Sequence, residues 1–321
     1  MLAYLIRRLV QTVLVLLAVT LIVFLMMSFT GDPVFMLVPI DSQPEVVAAA
    51  RARLGLDQPL PVQYLRFLGN LLSGDFGVSY VFRQPALSLI LERLPATLEI
   101  VFVAIVVALL VAIPLGVHAG ARPQAASSRT VMTGSLLGIS LPGFWVGMML
   151  ILVFAVQLRW LPSSGRGDTV DVFGVPISIA TRDGLAHVIL PAVTLSLSTT
   201  AILLRMTRAG MQEVMRQDFM RFARAKGVSR QGVIWRHGLR NALSPVVTIF
   251  GLQVGDLIAF ATITETIFSW PGIGKLLIDS IARADRPVIV VYLMLVATMF
   301  VLINFVVDML YPILDPRIRA T

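Results

Sequence analysis

Long apolar runs separated by short polar stretches are the main pattern of this chain. A transmembrane helix needs about 20 apolar residues to cross a hydrocarbon core about 30 Å thick, and charge-poor runs of that length recur along the sequence. They predict about six spans: Leu9–Phe29, Thr97–Val117, a third starting near Phe144, Val188–Leu204, Ser244–Phe268 and Val288–Val307. The pattern is typical of an all-α polytopic membrane protein.

The third run is longer than one straight span requires, because no charged residue occurs from Thr130 to Leu158. Leu141-Pro142-Gly143 interrupts it, and a proline inside a helix kinks or ends that helix. We expect either a kinked helix or a lead-in turn followed by the span.

The first span is followed by a long segment, residues 30–95, that we predict to be extracytoplasmic and helical. Pro44 can open a helix that Gly55 caps, and Pro61 and Pro85 can open two more. Arginines are retained on the cytoplasmic side of a membrane, so Arg7 and Arg8 before the first span indicate a cytoplasmic N-terminus. With six spans, both termini are cytoplasmic.

Composition supports this interpretation and locates the charge. Hydrophobic residues make up 57% of the chain, charged residues 14%, and there is no cysteine, which excludes disulfides and thiolate metal sites. The formal net charge is +8, and the segment Arg205–Arg240 alone carries eight Arg and one Lys against Glu213 and Asp218, a net +7. This basic segment lies between spans and lacks the interleaved aromatics of a stacking surface, so we predict no nucleic-acid binding.

The basic segment has a helical pattern of its own. Read as one helix, it carries a stripe of apolar residues at the 3.6-residue period, formed by Met211, Val214, Met215, Phe219 and Phe222. Gly227 is placed to end the helix in the left-handed conformation, and a second helix can start at Ser229. A basic loop between spans often only marks the cytoplasmic side. Amphipathic helices in such a loop favour contact with a soluble partner.

Four strings carry a resemblance to a known family. QDFMRFARAKGVS followed by HGLRNALSPVVT resembles the cytoplasmic coupling loop, the EAA-type loop, of binding-protein-dependent ABC importers, and especially their dipeptide and oligopeptide branch. The other strings are GLDQPL with GDFGVS, RLPATLEI and WPGIG. The resemblance implies a B-type permease subunit with the type I importer permease fold, a single transmembrane domain over 1–321 whose coupling loop is 205–243.

The family's coupling helix docks on an ATPase subunit, so the resemblance also assigns candidate site residues. The implied ATPase-coupling residues are Arg216, Gln217, Asp218, Arg221, Phe222, Ala223, Arg224, Ala225, Lys226, Gly227 and Ser229. The founding glutamate of the family signature corresponds here to Arg221. Docking therefore cannot depend on a glutamate contact in this chain.

The implied partners follow from the same resemblance. They are a second, homologous C-type permease, two ATPase subunits, an extracytoplasmic solute-binding protein and the lipid of the cell inner membrane. ATP and Mg would be bound by the ATPase subunits, and no cofactor is expected on this chain. The implied cargo is di- or oligopeptides. Related permeases serve glutathione or nickel complexes, and the binding protein makes most of the selection.

The sequence shows no catalytic motif, so we do not expect an enzyme. Gly272-Ile273-Gly274-Lys275 faintly resembles a phosphate-binding loop, but its spacing is wrong and Leu276 stands where Ser or Thr is required. The three histidines are too scattered for a metal site or a nucleophile–base pair.

Polar residues within the spans are candidates for the translocation path or for the interface with the second permease, because ionisable groups at membrane depth are costly. These candidates are Asp256, Glu265 and Asn304. A structural hydrogen bond is the alternative for Asp256, a local cap or snorkelling for Glu265, and an interhelical bond for Asn304.

The alternative function is an ion-gradient-driven secondary transporter, which inverted repeats and several midplane charges would favour.

Overall fold

The computed structural model of the chain describes residues 2–29, 34, 38 and 42–314. Helices dominate these residues, and one antiparallel hairpin is formed by β1 (Val170–Val172) and β2 (Val175–Ile177). The helices are α1 (Leu2–Phe29), α2 (Pro44–Leu54), α3 (Leu60–Leu72), α4 (Ala86–Ala121), α5 (Ala126–Ser140), α6 (Gly143–Leu150, continued by a π-helical turn Ile151–Gln157), α7 (Arg182–Met215), α8 (Asp218–Ala225), a π-helical segment Gly232–Leu239, α9 (Arg240–Ile267), α10 (Ile273–Ala282) and α11 (Arg286–Leu314).

The long helices confirm the all-α polytopic fold. Within the described ranges, α1, α4, α7 and α11 are each long and apolar enough to cross a membrane, and the bent pair of α5 and α6 can supply a fifth span. The predicted span Ser244–Phe268 overlaps α9, whose 28 residues extend about 42 Å, but α9 is not among the described helices that are long and apolar enough to cross a membrane. The C-terminal tail from residue 315 and residues 30–33, 35–37 and 39–41 of the predicted external segment lie outside the described residues.

The predicted interruption of the third run is confirmed. Helix α5 ends at Ser140, α6 begins at Gly143, and the two helices are bent by 105° at this break. Leu141 and Pro142 between them have extended backbone conformations. The bend is sharper than a proline kink within one helix, so the lead-in alternative describes this region better.

Two helix boundaries near the basic segment differ from the prediction. Helix α7 does not stop at Leu204 but continues to Met215. Helix α9 begins at Arg240, directly after the π-helical segment, and so starts four residues before Ser244, the first residue of the predicted span. Helix formation begins earlier because the Ser229 Oγ atom accepts a hydrogen bond from the Gly232 N–H at 3.2 Å, which starts the helical stretch that runs into α9.

The structure divides into two compact units. The first contains Met1–Leu94 and Leu276–Leu302, and in it α2 ends as predicted at Gly55, whose φ is 69°. Helix α3 packs on α1, where the hydroxyls of Thr20 and Tyr64 are hydrogen-bonded at 2.9 Å. The carboxylate of Asp285, which is fully buried, accepts a hydrogen bond from the Tyr80 N–H at 3.0 Å and so fixes the turn before α4.

The second unit contains Pro95–Lys275 and Ile303–Thr321, and its helices α4, α7 and α9 approach one another closely at glycines. A Cβ added at Gly116 of α4 would lie 2.8 Å from the Leu204 carbonyl oxygen of α7. One added at Gly210 of α7 would lie 2.9 Å from the Ala242 carbonyl oxygen of α9. Small residues at such crossings let helices pack closely within lipid.

We predict that Gly116→Ala destabilises the protein by about 1–3 kcal/mol, because its methyl group would overlap backbone and side-chain atoms of α7. The measurement is the thermal unfolding midpoint of the detergent-solubilised protein. Gly134→Ala is the matched control, since no described atom outside its own helical turn lies within 4 Å of a Cβ added at this glycine. Equal midpoints for the two variants would show that the close crossing of α4 and α7 is not a constraint on the fold.

Candidate functional site

The basic segment folds into a short helix with defined ends. Gln217 before α8 has extended backbone angles, with φ −72° and ψ 151°. After Lys226 the chain turns at Gly227, whose φ of 79° is left-handed as predicted. The Gly227 N–H donates to the Arg224 carbonyl at 3.0 Å and the Val228 N–H to the Ala223 carbonyl at 3.3 Å. These bonds satisfy carbonyl groups at the end of the helix.

The predicted single apolar stripe through the basic segment is wrong. The helix breaks between Met215 and Asp218, and a break changes the face that later residues occupy. As a result Phe219 is 39% exposed and Phe222 is 62% exposed. The buried residues of α8 are instead Met220 and Ala223.

Met220 and Ala223 fasten α8 to the ends of three longer helices. Met220 is fully buried. The cluster that contains both residues, here called the hinge cluster, consists of Val117, Met211, Val214, Met220, Ala223, Val233 and Ala242. Its members come from α4, α7, α8, the π-helical segment and α9, so the buried face of α8 belongs to one cluster with the ends of three longer helices.

The opposite face of α8 is an exposed surface. Of the predicted coupling residues, all except Ala223 are exposed. Lys226 Nζ lies 4.6 Å from the centroid of the Phe222 ring, and Arg221 makes an exposed ion pair with Asp218 at 3.5 Å, which contributes little to stability. Exposed aromatic rings among basic side chains suit contact with another protein. The structure adds exposed Trp235 in the π-helical segment, which was not among the predicted coupling residues.

The second candidate region is a cavity of about 300 Å³ between α6, α7 and α9. Asp256 lines it and is exposed. The other lining residues are Gly143, Phe144, Thr194, Leu195, Ser198, Thr199, Ile202, Gln253, Leu257, Phe260, Ile263 and Thr264. Asp256 was predicted from the sequence, whereas the hydroxyl side chains of α7 were not, although the string SLSTT in an apolar helix signals a polar face.

Glu265 lies elsewhere and is fully buried. Its carboxylate accepts hydrogen bonds from the Thr97 Oγ atom at 2.5 Å and from the Lys275 N–H at 2.9 Å. The same Thr97 Oγ atom accepts a hydrogen bond from the Ile273 N–H at 2.9 Å. A position on the translocation path or at the interface does not fit these contacts, so the structure supports the alternative of a local cap, here for the turn before α10. Asn304 is half-buried on α11, and its role stays a prediction.

A second buried carboxylate, Glu99 on α4, holds the segment before α7. It pairs with Arg166 Nε at 3.0 Å and accepts hydrogen bonds from the Ser178 N–H at 2.6 Å and the Ser178 Oγ at 2.7 Å. Breaking such a pair by removing one partner is strongly destabilising. In the described part of the chain, no group of three or more His, Asp or Glu side chains could hold a metal ion.

Comparison with known proteins places this geometry in a family. The description "Binding-protein-dependent transport system inner membrane component" matches residues 112–320. A second description, "Binding-prot-dependent transport system membrane comp, N-term", matches residues 1–101. Together they cover most of the chain, including the basic segment and the cavity.

Two relatives match along their whole length. The Di/tripeptide transport system permease protein DppB of Pseudomonas aeruginosa (strain UCBPP-PA14) is 44% identical over 99% of each sequence. The Oligopeptide transport system permease protein AppB of Bacillus subtilis (strain 168) is 40% identical over 99% of this chain and 100% of the relative. These matches give no support to an ion-gradient-driven secondary transporter.

A solved structure supports the predicted fold class. The inward-facing MetNI methionine ABC transporter aligns with a TM-score of 0.57 at 18% sequence identity, covering 72% of this chain and 98% of the other. At that identity the likeness concerns the fold alone. It confirms the importer permease fold that the sequence motifs implied.

We predict that Thr97→Val destabilises the second unit by about 1–3 kcal/mol, because it leaves the buried Ile273 N–H without its acceptor and removes a donor from Glu265. Thermal unfolding of the solubilised protein measures the loss. Thr130→Val is the control, since Thr130 is exposed and its hydroxyl bonds only within its own helix, to the Ala126 carbonyl. A Thr97→Val midpoint no lower than the control would contradict the assigned role of this buried network.

Proposed function

Because the chain belongs to the family of inner membrane components of binding-protein-dependent transport systems, we propose that it is a permease subunit that imports small peptides. Its membrane location and its role as an ABC importer permease follow from the family and from full-length relatives. We further propose that α8 couples this import to an ATPase subunit. The observation that carries the coupling role is that α8 is buried on one face and exposed on the other.

Peptide cargo is supported by the relatives and by the cavity. The names of the two relatives specify di- and tripeptides in one case and oligopeptides in the other. The cavity between α6, α7 and α9 combines hydroxyl, amide and carboxylate groups with apolar side chains. Such a mixed lining suits a solute with charged ends, amide groups and variable side chains.

The exposed face of α8 is the proposed docking surface for an ATPase subunit. Its basic side chains and the Phe222 ring would enter a groove on that subunit, while Met220 and Ala223 hold the helix to the hinge cluster. When the ATPase subunits close on ATP, a displacement of α8 passes through these packed side chains to α4, α7 and α9. Packed interiors transmit such displacements because they are close to incompressible.

Binding-protein-dependent ABC importers need an ATPase and a binding protein, and we extend this to a specific assembly. It contains two ATPase subunits, an extracytoplasmic solute-binding protein and a second, homologous permease that completes the translocation path. ATP and Mg bind to the ATPase subunits, and this chain has no enzymatic activity of its own. The surrounding lipid is its other contact, and nucleic acid is not a partner.

Gly227→Asp tests the docking proposal. A side chain at φ 79° costs about 1 kcal/mol, and because no described atom beyond the two neighbouring residues lies within 4 Å of an added Cβ, the permease should still fold. The new carboxylate would protrude at the docking surface. We expect a variant that is inserted in the membrane, retains ATPase subunits poorly and imports no peptide. Co-purification of the ATPase subunits, measured beside uptake, checks this outcome.

The control is Gly74→Asp. Gly74 also has a left-handed φ, 77°, and open surroundings, but it lies in the first unit. This variant imposes the same backbone strain without changing α8, so it should retain the ATPase subunits. Arg221→Ala should weaken their retention only mildly, since one exposed charge is worth little under salt screening. Full retention and uptake with Gly227→Asp would refute docking at α8 and leave the basic segment as a mere marker of the cytoplasmic side.

A further inference from the structure

Asp256 places a carboxylate in the middle of a predicted span. In the described structure this carboxylate is open to a cavity. It lies 16 positions after Arg240, the start of α9, which corresponds to about 24 Å along the helix. It is exposed and lines the cavity between α6, α7 and α9. An ionised carboxylate at such a depth is costly unless water or a compensating group meets it. Such a residue is therefore a candidate functional site.

The neighbours of Asp256 orient the carboxylate without neutralising it. The Thr199 Oγ atom on α7 donates to the Gln253 Oε1 atom at 3.4 Å, which turns the amide nitrogen of Gln253 toward Asp256. The Gln253 Nε2 atom then donates to the Asp256 Oδ2 atom at 3.1 Å. Both donors are uncharged, so the negative charge of Asp256 is directed into the cavity.

The rest of the lining leaves the cavity negative. Among the described residues that form it, Asp256 is the one ionisable side chain, and no Lys, Arg or His accompanies it. The hydroxyls of Thr194, Ser198 and Thr199 can accept or donate hydrogen bonds but add no charge. A single carboxylate among neutral oxygens does not offer the several anionic ligands that divalent cations select. It does suit a monovalent cation that carries N–H donors.

On the basis of the proposed function, we propose that Asp256, positioned by Gln253, binds the α-ammonium group of a peptide during its passage. The three N–H donors of an ammonium group match the carboxylate and the nearby hydroxyl oxygens. The peptide amides then meet the hydroxyls of α7, and the side chains meet the apolar residues Phe144, Leu257 and Phe260. The site thereby selects solutes with a free amino end, in addition to any selection by the binding protein.

Two ligands that differ only in the ammonium group test this site. They are dialanine and N-propionyl-alanine, in which a hydrogen replaces the α-ammonium group. Ligand-observed NMR on the assembled transporter in nanodiscs, without binding protein, measures the Kd of each ligand directly. We expect the wild-type transporter to bind dialanine about tenfold more tightly. Asp256→Asn should bring the two Kd values within about twofold by weakening dialanine alone, and Asp256→Glu should retain the preference.

The control variant is Glu92→Gln, which removes an exposed carboxylate outside the cavity and should keep the wild-type preference. An unchanged preference in Asp256→Asn overturns the proposal. Equal weakening of both ligands also overturns it, because the contribution of Asp256 to binding would then not depend on the ammonium group. Should Asp256→Asn fail to assemble, Asp256→Ser takes its place, and failure of both assigns a structural role instead.

Peptide uptake by the wild-type transporter separates this inference from the function on which it rests. Uptake of dialanine together with an unchanged preference in Asp256→Asn removes only the ammonium site. Absence of uptake of any di- or tripeptide by the complete wild-type transporter removes the proposed cargo, and the ammonium site with it.

Discussion

The packing of Met220 and Ala223 within the hinge cluster is the contact on which the proposed coupling of this protein to an ATPase subunit depends. Helix α8 has only eight residues, and an isolated helix of that length is not stable in water. Its position therefore comes from the buried side chains that join it to α4, α7 and α9. Because those contacts occupy one face, the other face is left for a partner. The same short helix can thus be fixed to the membrane domain and docked on a soluble subunit.

Two of the helices that receive α8, namely α7 and α9, also line the cavity. Helix α7 carries Met211 in the hinge cluster and Thr199 in the cavity wall, and α9 carries Ala242 in the cluster and Asp256 in the wall. The close approach of α7 and α9 at Gly210 leaves little room for either helix to move alone. A displacement at one end is therefore expected to change the cavity through rigid helices. No separate pathway of side chains is required.

Local chemistry explains what the sequence predicted well. Glycine and proline act on their own backbone, so Gly227, Gly55 and the break at Pro142 were predictable without knowledge of the fold. Phe219 and Phe222 were placed wrongly because the helix breaks at Arg216 and Gln217, neither of which is a glycine or proline. The cavity was only partly predictable, since its wall forms where α6, α7 and α9 meet. The burial of Glu265 likewise depends on Thr97, far away in sequence.

The number of peptides imported per ATP hydrolysed, measured in the Met220→Ala variant, is the most direct test of the claim that the hinge cluster transmits motion from the ATPase subunits. This change removes packing worth about 2–5 kcal/mol from the hinge cluster while leaving the exposed face of α8 intact. The claim predicts a transporter that retains its ATPase subunits and hydrolyses ATP but imports fewer peptides per ATP. Met148→Ala, at an exposed position of α6 that does not line the cavity, is the reference. An unchanged number of peptides per ATP in Met220→Ala would contradict the claim that this contact carries motion from the ATPase subunits to the membrane helices.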